Sequence, residues 1–143
     1  NNYAYYLSEK GVDLHKAESM SYKTIKAEPN NGTYLDTYAW ILFMEERYAD
    51  AKTYIDQALK NRDSTADNST VLEHAGDIYY MNGMTDESVD FWKKAYTGEN
   101  QTEVLAWKIK NRQYITGEEL KKRNAPKQKP AATKKSVRKG KKK

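Results

Sequence analysis

The chain has no cysteine among its 143 residues. That absence removes a disulfide framework, a thiolate metal site and a cysteine nucleophile together. Proline is scarce: Pro29 is followed only by Pro126 and Pro130. No apolar run approaches the roughly 20 residues that a membrane helix needs, and no signal peptide opens the chain. There is no glycine-rich phosphate loop either, because the glycines of GDIYYMNG are spaced for packing and turning. The first residue is Asn rather than Met, so the sequence is expected to be a processed form or a fragment. Aromatic residues are not scarce. Twelve Tyr, three Trp and two Phe all precede Ile115, enough for a core in the first 115 residues.

The formal charge of +5 conceals a split. Up to Leu120 there are 13 basic and 20 acidic residues; from Lys121 onward there are 12 basic and no acidic residues. An acidic body is therefore joined to a strongly basic tail with nothing apolar to bury, and that tail is expected to be disordered.

Internal similarity sets the organisation of the body. When NNYAYYLSEKG, TYAWILFMEER and HAGDIYYMNGM are aligned, Ala4, Ala39 and Gly76 fall in register, as do Leu7, Leu42 and Tyr79, and Gly11, Glu46 and Gly83. Downstream, Ala17, Ala51 and Ser88 match, followed by Thr24, Ala58 and Ala95. The length differences between copies fall in turns. Leu35, Tyr38, Ala39 and Leu42 lie at i, i+3, i+4 and i+7, one apolar helix face, and Ala51, Ile55, Ala58 and Leu59 form a second. Leu72, Ala75, Gly76 and Tyr79, then Ser88, Trp92, Ala95 and Tyr96, repeat the pair. Small residues at mid-helix allow backbones to approach, and large ones fill the spaces between neighbours. Gly83 is placed to end a helix where a positive φ is needed, and Pro29 closes the first pair.

This pattern of small–large alternation, a turn residue and a second helix led by alanines resembles the tetratricopeptide repeat family. The stretch TYLDTYAWILFMEERYADAKTYIDQAL carries the resemblance most specifically, and the whole is similar to the C-terminal repeats of long bacterial tetratricopeptide proteins. There are departures: the first copy begins partway through its first helix, its second helix has Ser21 and Thr24 where the family prefers an aromatic and a small apolar residue, and Asp63 and Asn100 replace the closing proline. The resemblance implies an all-α, right-handed α-solenoid. Three hairpins would span residues 1–97, a capping helix residues 98–115, and a basic, disordered tail residues 116–143. In the capping helix Leu105 and Ile109 share one face, opposite Lys108, Lys110 and Arg112. Thr116-Gly-Glu-Glu119 has the spacing of a capping box and could start one more short helix.

The inventory for catalysis is thin. His15 is expected in the turn of the first hairpin and His74 on a first helix, and neither has the neighbours that a metal site wants, so no metal, cofactor or enzymatic activity is expected. The acidic pairs Glu45-Glu46 and Asp86-Glu87 read as solvated or dipole-favoured charges. Three Asn-x-Thr triplets, at Asn31, Asn68 and Asn100, are accounted for by turn preference.

What the resemblance offers instead is a concave groove for a peptide or protein partner. Tyr5 and Glu9 from the first copy would face it, with Asp36, Trp40, Phe43 and Met44 from the second. The third copy would add Glu73, Asp77, Tyr80 and Met81. These residues are offset from the core stripe and are read as a surface outside it, the alternative being that the aromatics pack against an upstream repeat or the capping helix; their acidity favours a basic and apolar partner. A scaffold or adaptor in a bacterial cytoplasm or cell envelope follows. The alternative is association with nucleic acid or an anionic surface through Lys121, Lys122 and Arg123 and the cluster Lys134, Lys135, Arg138, Lys139, Lys141, Lys142 and Lys143. These two clusters also have the form of a bipartite nuclear import signal, which makes the nucleus a minor alternative. On the polyanion reading, removal of residues 121–143 abolishes a steeply salt-dependent affinity for DNA or RNA, measured by fluorescence anisotropy. An affinity that survives the truncation rules the tail out as anchor.

Overall fold

A computed structural model of the chain describes residues 13–62, 68–98 and 100–125. All regular structure among these residues is α-helical. The helices are α1 (Leu14–Ala27), α2 (Gly32–Met44), α3 (Tyr48–Lys60), α4 (Ser69–Met81), α5 (Thr85–Ala95), α6 (Glu103–Asn111) and α7 (Gly117–Asn124). No helix among the described residues is long and apolar enough to cross a membrane. Tyr5, Glu9 and the whole first helix of the first copy lie outside the described residues.

Local chemistry sets the helix ends. Asp13, Asn31 and Thr102 each accept a bond from a backbone N–H three residues on, at 3.0, 3.1 and 3.2 Å. Side-chain caps of this kind stabilise a helix by about 1 kcal/mol each. Two turns are built alike. In the α2–α3 turn the Arg47 N–H donates to Leu42 O at 2.9 Å, and in the α4–α5 turn the Met84 N–H donates to Tyr79 O at 3.0 Å. The left-handed residue that closes each turn is Glu46 (φ 63) or Gly83 (φ 78). Glycine adopts that conformation without penalty, whereas the Cβ of Glu46 is strained there by about 1–2 kcal/mol. The sequence register at Glu46 and Gly83 is therefore repeated in backbone geometry.

Each of the first five helices packs on the next, most extensively α2 on α3 and α4 on α5. The central element is α2, in which every residue from Leu35 to Phe43 is buried. Such a helix needs neighbours on all sides. Helices α1, α3 and α4 supply three of them. Tyr114, which follows α6, supplies part of the rest, its ring 5.6 Å from that of Phe43. Leu35, Ile41 and Leu42 are at most 1 % exposed, each contributing about 1.5–3 kcal/mol of transfer free energy. On α1 the buried residues facing this core are small, Ala17 and Ser21, with Ile25. Thr24 bonds back to Met20 O at 3.1 Å.

Three expectations change. Lys108 was assigned to the polar face of the capping helix but is 2 % exposed. Residues from 116 onward were assigned to the tail, with residues 116–119 read as the start of one short helix; α7 does begin at Gly117, after a complete capping box between Thr116 and Glu119. Leu120 on α7 is buried, and this one apolar residue gives the short helix something to bury. His15 was placed in a turn and is the second residue of α1.

Helices α4 and α5 meet at a glycine. A Cβ added to Gly76 would lie 2.3 Å from Trp92 Cδ1, 2.4 Å from Trp92 Nε1 and 3.0 Å from Ser88 O. The Ser88 hydroxyl donates to Gly76 O at 2.8 Å, which holds the two backbones at that separation. Trp92 is fully buried and has no room to yield. Gly76→Ala is expected to lower stability by about 3 kcal/mol, read from the urea midpoint, whereas Gly83→Ala, with open space around its Cβ position, costs only the strain of a positive φ.

Candidate functional site

Helix α4 carries the groups that organise the C-terminal half. Glu73 and Asp77 stand at i and i+4, one above the other on the face toward α6. Between them lies the Lys108 ammonium, donating to Glu73 Oε2 and to Asp77 Oδ1 at 2.8 Å each. The Trp92 indole N–H donates to the same Asp77 oxygen at 2.9 Å. Asn100 donates to Glu73 Oε1 at 3.4 Å and to Ala95 O at 3.2 Å. The ammonium also lies 5.5 Å from the Trp92 ring centre and 5.6 Å from that of Tyr114. Two carboxylates on one buried face would repel each other strongly; one ammonium between them makes the arrangement tolerable. Burial pushes the Asp77 carboxyl up, and the pull of Lys108 downward offsets this only in part.

Next to this pair on α4, His74 Nδ1 lies 2.9 Å from Asp36 Oδ1 on α2. The imidazole stacks on Trp40 at 4.1 Å, and Trp40 stacks on Phe43 at 4.5 Å. Phe43 then meets the edges of Tyr48 at 5.5 Å and Tyr114 at 5.6 Å. A ladder of rings thus runs from α4 across α2 to the chain beyond α6. Burial works against a charge on His74, but Asp36, followed by Asp77 and Glu73, outweighs it and raises the pKa above its ordinary value.

The sequence assigned Asp36, Trp40, Phe43 and Asp77 to an open groove clear of the core. In the structure all four are buried, at 7, 8, 6 and 3 % exposure. His74 of α4 covers Asp36 and Trp40, Tyr114 meets Phe43, and Lys108 and Trp92 close on Asp77. Tyr80 is half-buried beside Trp92, with ring centres 6.0 Å apart. Met81 packs against the core around α2. Neither residue reaches the surface shared by the others.

That shared surface is a cleft of about 480 Å³. Trp40 and Met44 of α2 and Glu73 and Asp77 of α4 line one side of it. Val104 and Lys108 of α6, with residues Tyr114 to Glu118, line the other. Four of the assigned groove residues are therefore brought together, beside partners that the sequence placed on a cap or in a tail. The i, i+4 spacing of Glu73 and Asp77 was visible beforehand; that a lysine 31 residues later would close on Asp77 was not. Lys121, Lys122 and Arg123 are exposed on α7, and Arg123 lies over the Trp107 ring at 5.4 Å. The second basic cluster, from Lys134 on, is outside the described residues.

A second grouping went unnoticed in the sequence. His15 and Glu18, at i and i+3 on α1, meet Glu45 at the end of α2, with ligand atoms all within 4.8 Å of one another. Arg47 already neutralises these carboxylates, at 3.0 Å from Glu18 and 3.4 Å from Glu45. Burial and the proximity of Glu18 push the Glu45 carboxyl up.

No protein-family model matches the chain, and comparison with curated proteins gives no match.

The raised pKa of His74 has a consequence for stability. The folded state holds this proton more tightly than the unfolded chain, so the contribution is full below about pH 6.5 and is lost as pH rises through the folded pKa. Asp77 acts in the same direction at lower pH, its own carboxyl being raised. The urea midpoint is therefore expected to fall as pH increases above 6.5. In Asp36→Asn that fall should flatten, and the titration of the His74 ring, followed by NMR, should move to lower pH.

Proposed function

We propose that this protein is an interaction module, a scaffold or adaptor that binds a peptide or protein partner and does not turn it over. Its paired helices are read as a right-handed tetratricopeptide solenoid with α6 as the terminal helix. In that reading, repeat arrays need such a helix to cover the last apolar face. The matching turns at Glu46 and Gly83 support the repeat. The observation that carries the function is the cleft, where Trp40, Met44, Glu73 and Asp77 converge beside the edge of α6. Concave sites of a few hundred Å³ that combine apolar walls with a few polar groups are the usual form of a ligand site.

The polyanion reading keeps one specific support: Lys121, Lys122 and Arg123 form an exposed basic turn on α7, on an ordered part of the chain. It would add an anchor and leave the cleft unchanged.

A displayed random peptide library selected on the full chain is expected to yield binders that Met44→Arg abolishes. The half-buried Met44 lies at the end of α2 and lines the cleft, so a longer side chain there fills it. Helical circular dichroism should be unchanged in that variant. Binders insensitive to the substitution, or none at all, would count against the cleft as the partner site.

A further inference from the structure

The lining of the cleft is divided by chemistry. Met44, Val104 and Ile115 offer apolar surface, with Trp40 and Tyr114 beside them. Three carboxylates, Glu73, Asp77 and Glu118, line it together with a single ammonium, that of Lys108. Lys108 engages only two of these acids. Glu118, exposed at the start of α7, has no hydrogen-bond or ion-pair partner among the described residues. The cleft therefore keeps an excess of negative charge next to apolar walls.

We infer that this cleft receives one long cationic side chain, lysine or arginine, from a partner segment, with Glu118 as its counter-charge. The inference rests on reading the cleft as the partner site and names the group that enters it. A lysine or arginine has an apolar stem and a charged head, and the two match the two halves of the lining. Norleucine or leucine would leave the carboxylates without a counter-charge, and an acidic side chain would add repulsion. Lys108 supplies a precedent within the same wall: its ammonium lies over the rings of Trp92 and Tyr114 and ends between carboxylates. Glu118 is exposed, so the pair it forms with an incoming charge is a modest one that sets preference rather than affinity. Specificity thus comes from α7, the element that composition alone assigned to the tail.

The test uses the ¹⁵N-labelled full chain and three acetylated, amidated pentapeptides, Gly-Ala-X-Ala-Gly, with X lysine, norleucine or glutamate. The lysine peptide is expected to shift the amide signals of Thr116, Gly117 and Glu118. The norleucine peptide should bind about threefold more weakly, the usual scale for an exposed ion pair, and the glutamate peptide should not bind. Glu118→Gln should reduce lysine-peptide affinity severalfold, leave norleucine binding unchanged and keep the α7 amide signals in place. Norleucine binding equal to lysine, or lysine binding indifferent to Glu118→Gln, overturns the cationic assignment and leaves the partner-site reading standing. No response to any of the three peptides overturns both.

Discussion

The ammonium of Lys108 lies 2.8 Å from a carboxylate oxygen of Glu73 and the same distance from one of Asp77, almost without solvent contact. Taking one partner out of such a buried group leaves the others uncompensated, at a cost of about 3–5 kcal/mol. This ion pair acts together with the apolar packing of Leu105 against Val89, Trp92 and Ala95 to hold α6. Once α6 is held, the chain after it brings Tyr114 onto Phe43, and α7 can begin at Thr116 with its cap satisfied. The cleft exists because these segments stand beside α2 and α4 without closing fully over them.

Helix α2 shows the same dependence from the other side. Its residues from Leu35 to Phe43 are all buried, an arrangement no isolated pair of helices provides. Asp36 on this helix would be costly without a partner, and His74 from α4 supplies one at 2.9 Å. The two polar contacts of α4, to α2 through His74 and to α6 through Glu73 and Asp77, use adjacent positions on one turn. Helix α4 consequently links the aromatic ladder to the ion pair. A perturbation on either side is expected to be felt on the other through the Coulomb coupling of His74 with Asp77.

Function follows from what this packing leaves accessible. Much of the aromatic surface is consumed by His74 of α4 and by Tyr114, and what remains is a narrower, more polar opening than a bare groove. Its carboxylate excess lies beside α7, whose last turn carries basic residues pointing to solvent. The charge separation of the whole sequence recurs within one eight-residue helix: Glu118 and Glu119 in its first turn, Lys121, Lys122 and Arg123 in its last. Each sign lies at the end of the helix dipole that favours it.

The sequence by itself determined the helices of the second and third copies and their pairing, because these depend on contacts close along the chain. The apolar spacing of Leu35, Tyr38, Ala39 and Leu42, the matched turn positions of Glu46 and Gly83, and the capping box at Thr116 are local or nearly local signals. It also brought Trp40, Met44, Glu73 and Asp77 to attention as one surface. Only the tertiary structure decided that this surface is mostly interior, that Lys108 is buried rather than solvated, and that α7 belongs to the body. Those outcomes rest on pairs separated by 31 to 38 residues, Asp77 with Lys108 and Asp36 with His74. A helical period states which face a residue occupies but not what covers that face. Whether a charge at such a position is solvated or paired depends on the neighbour, and the neighbour comes from the fold.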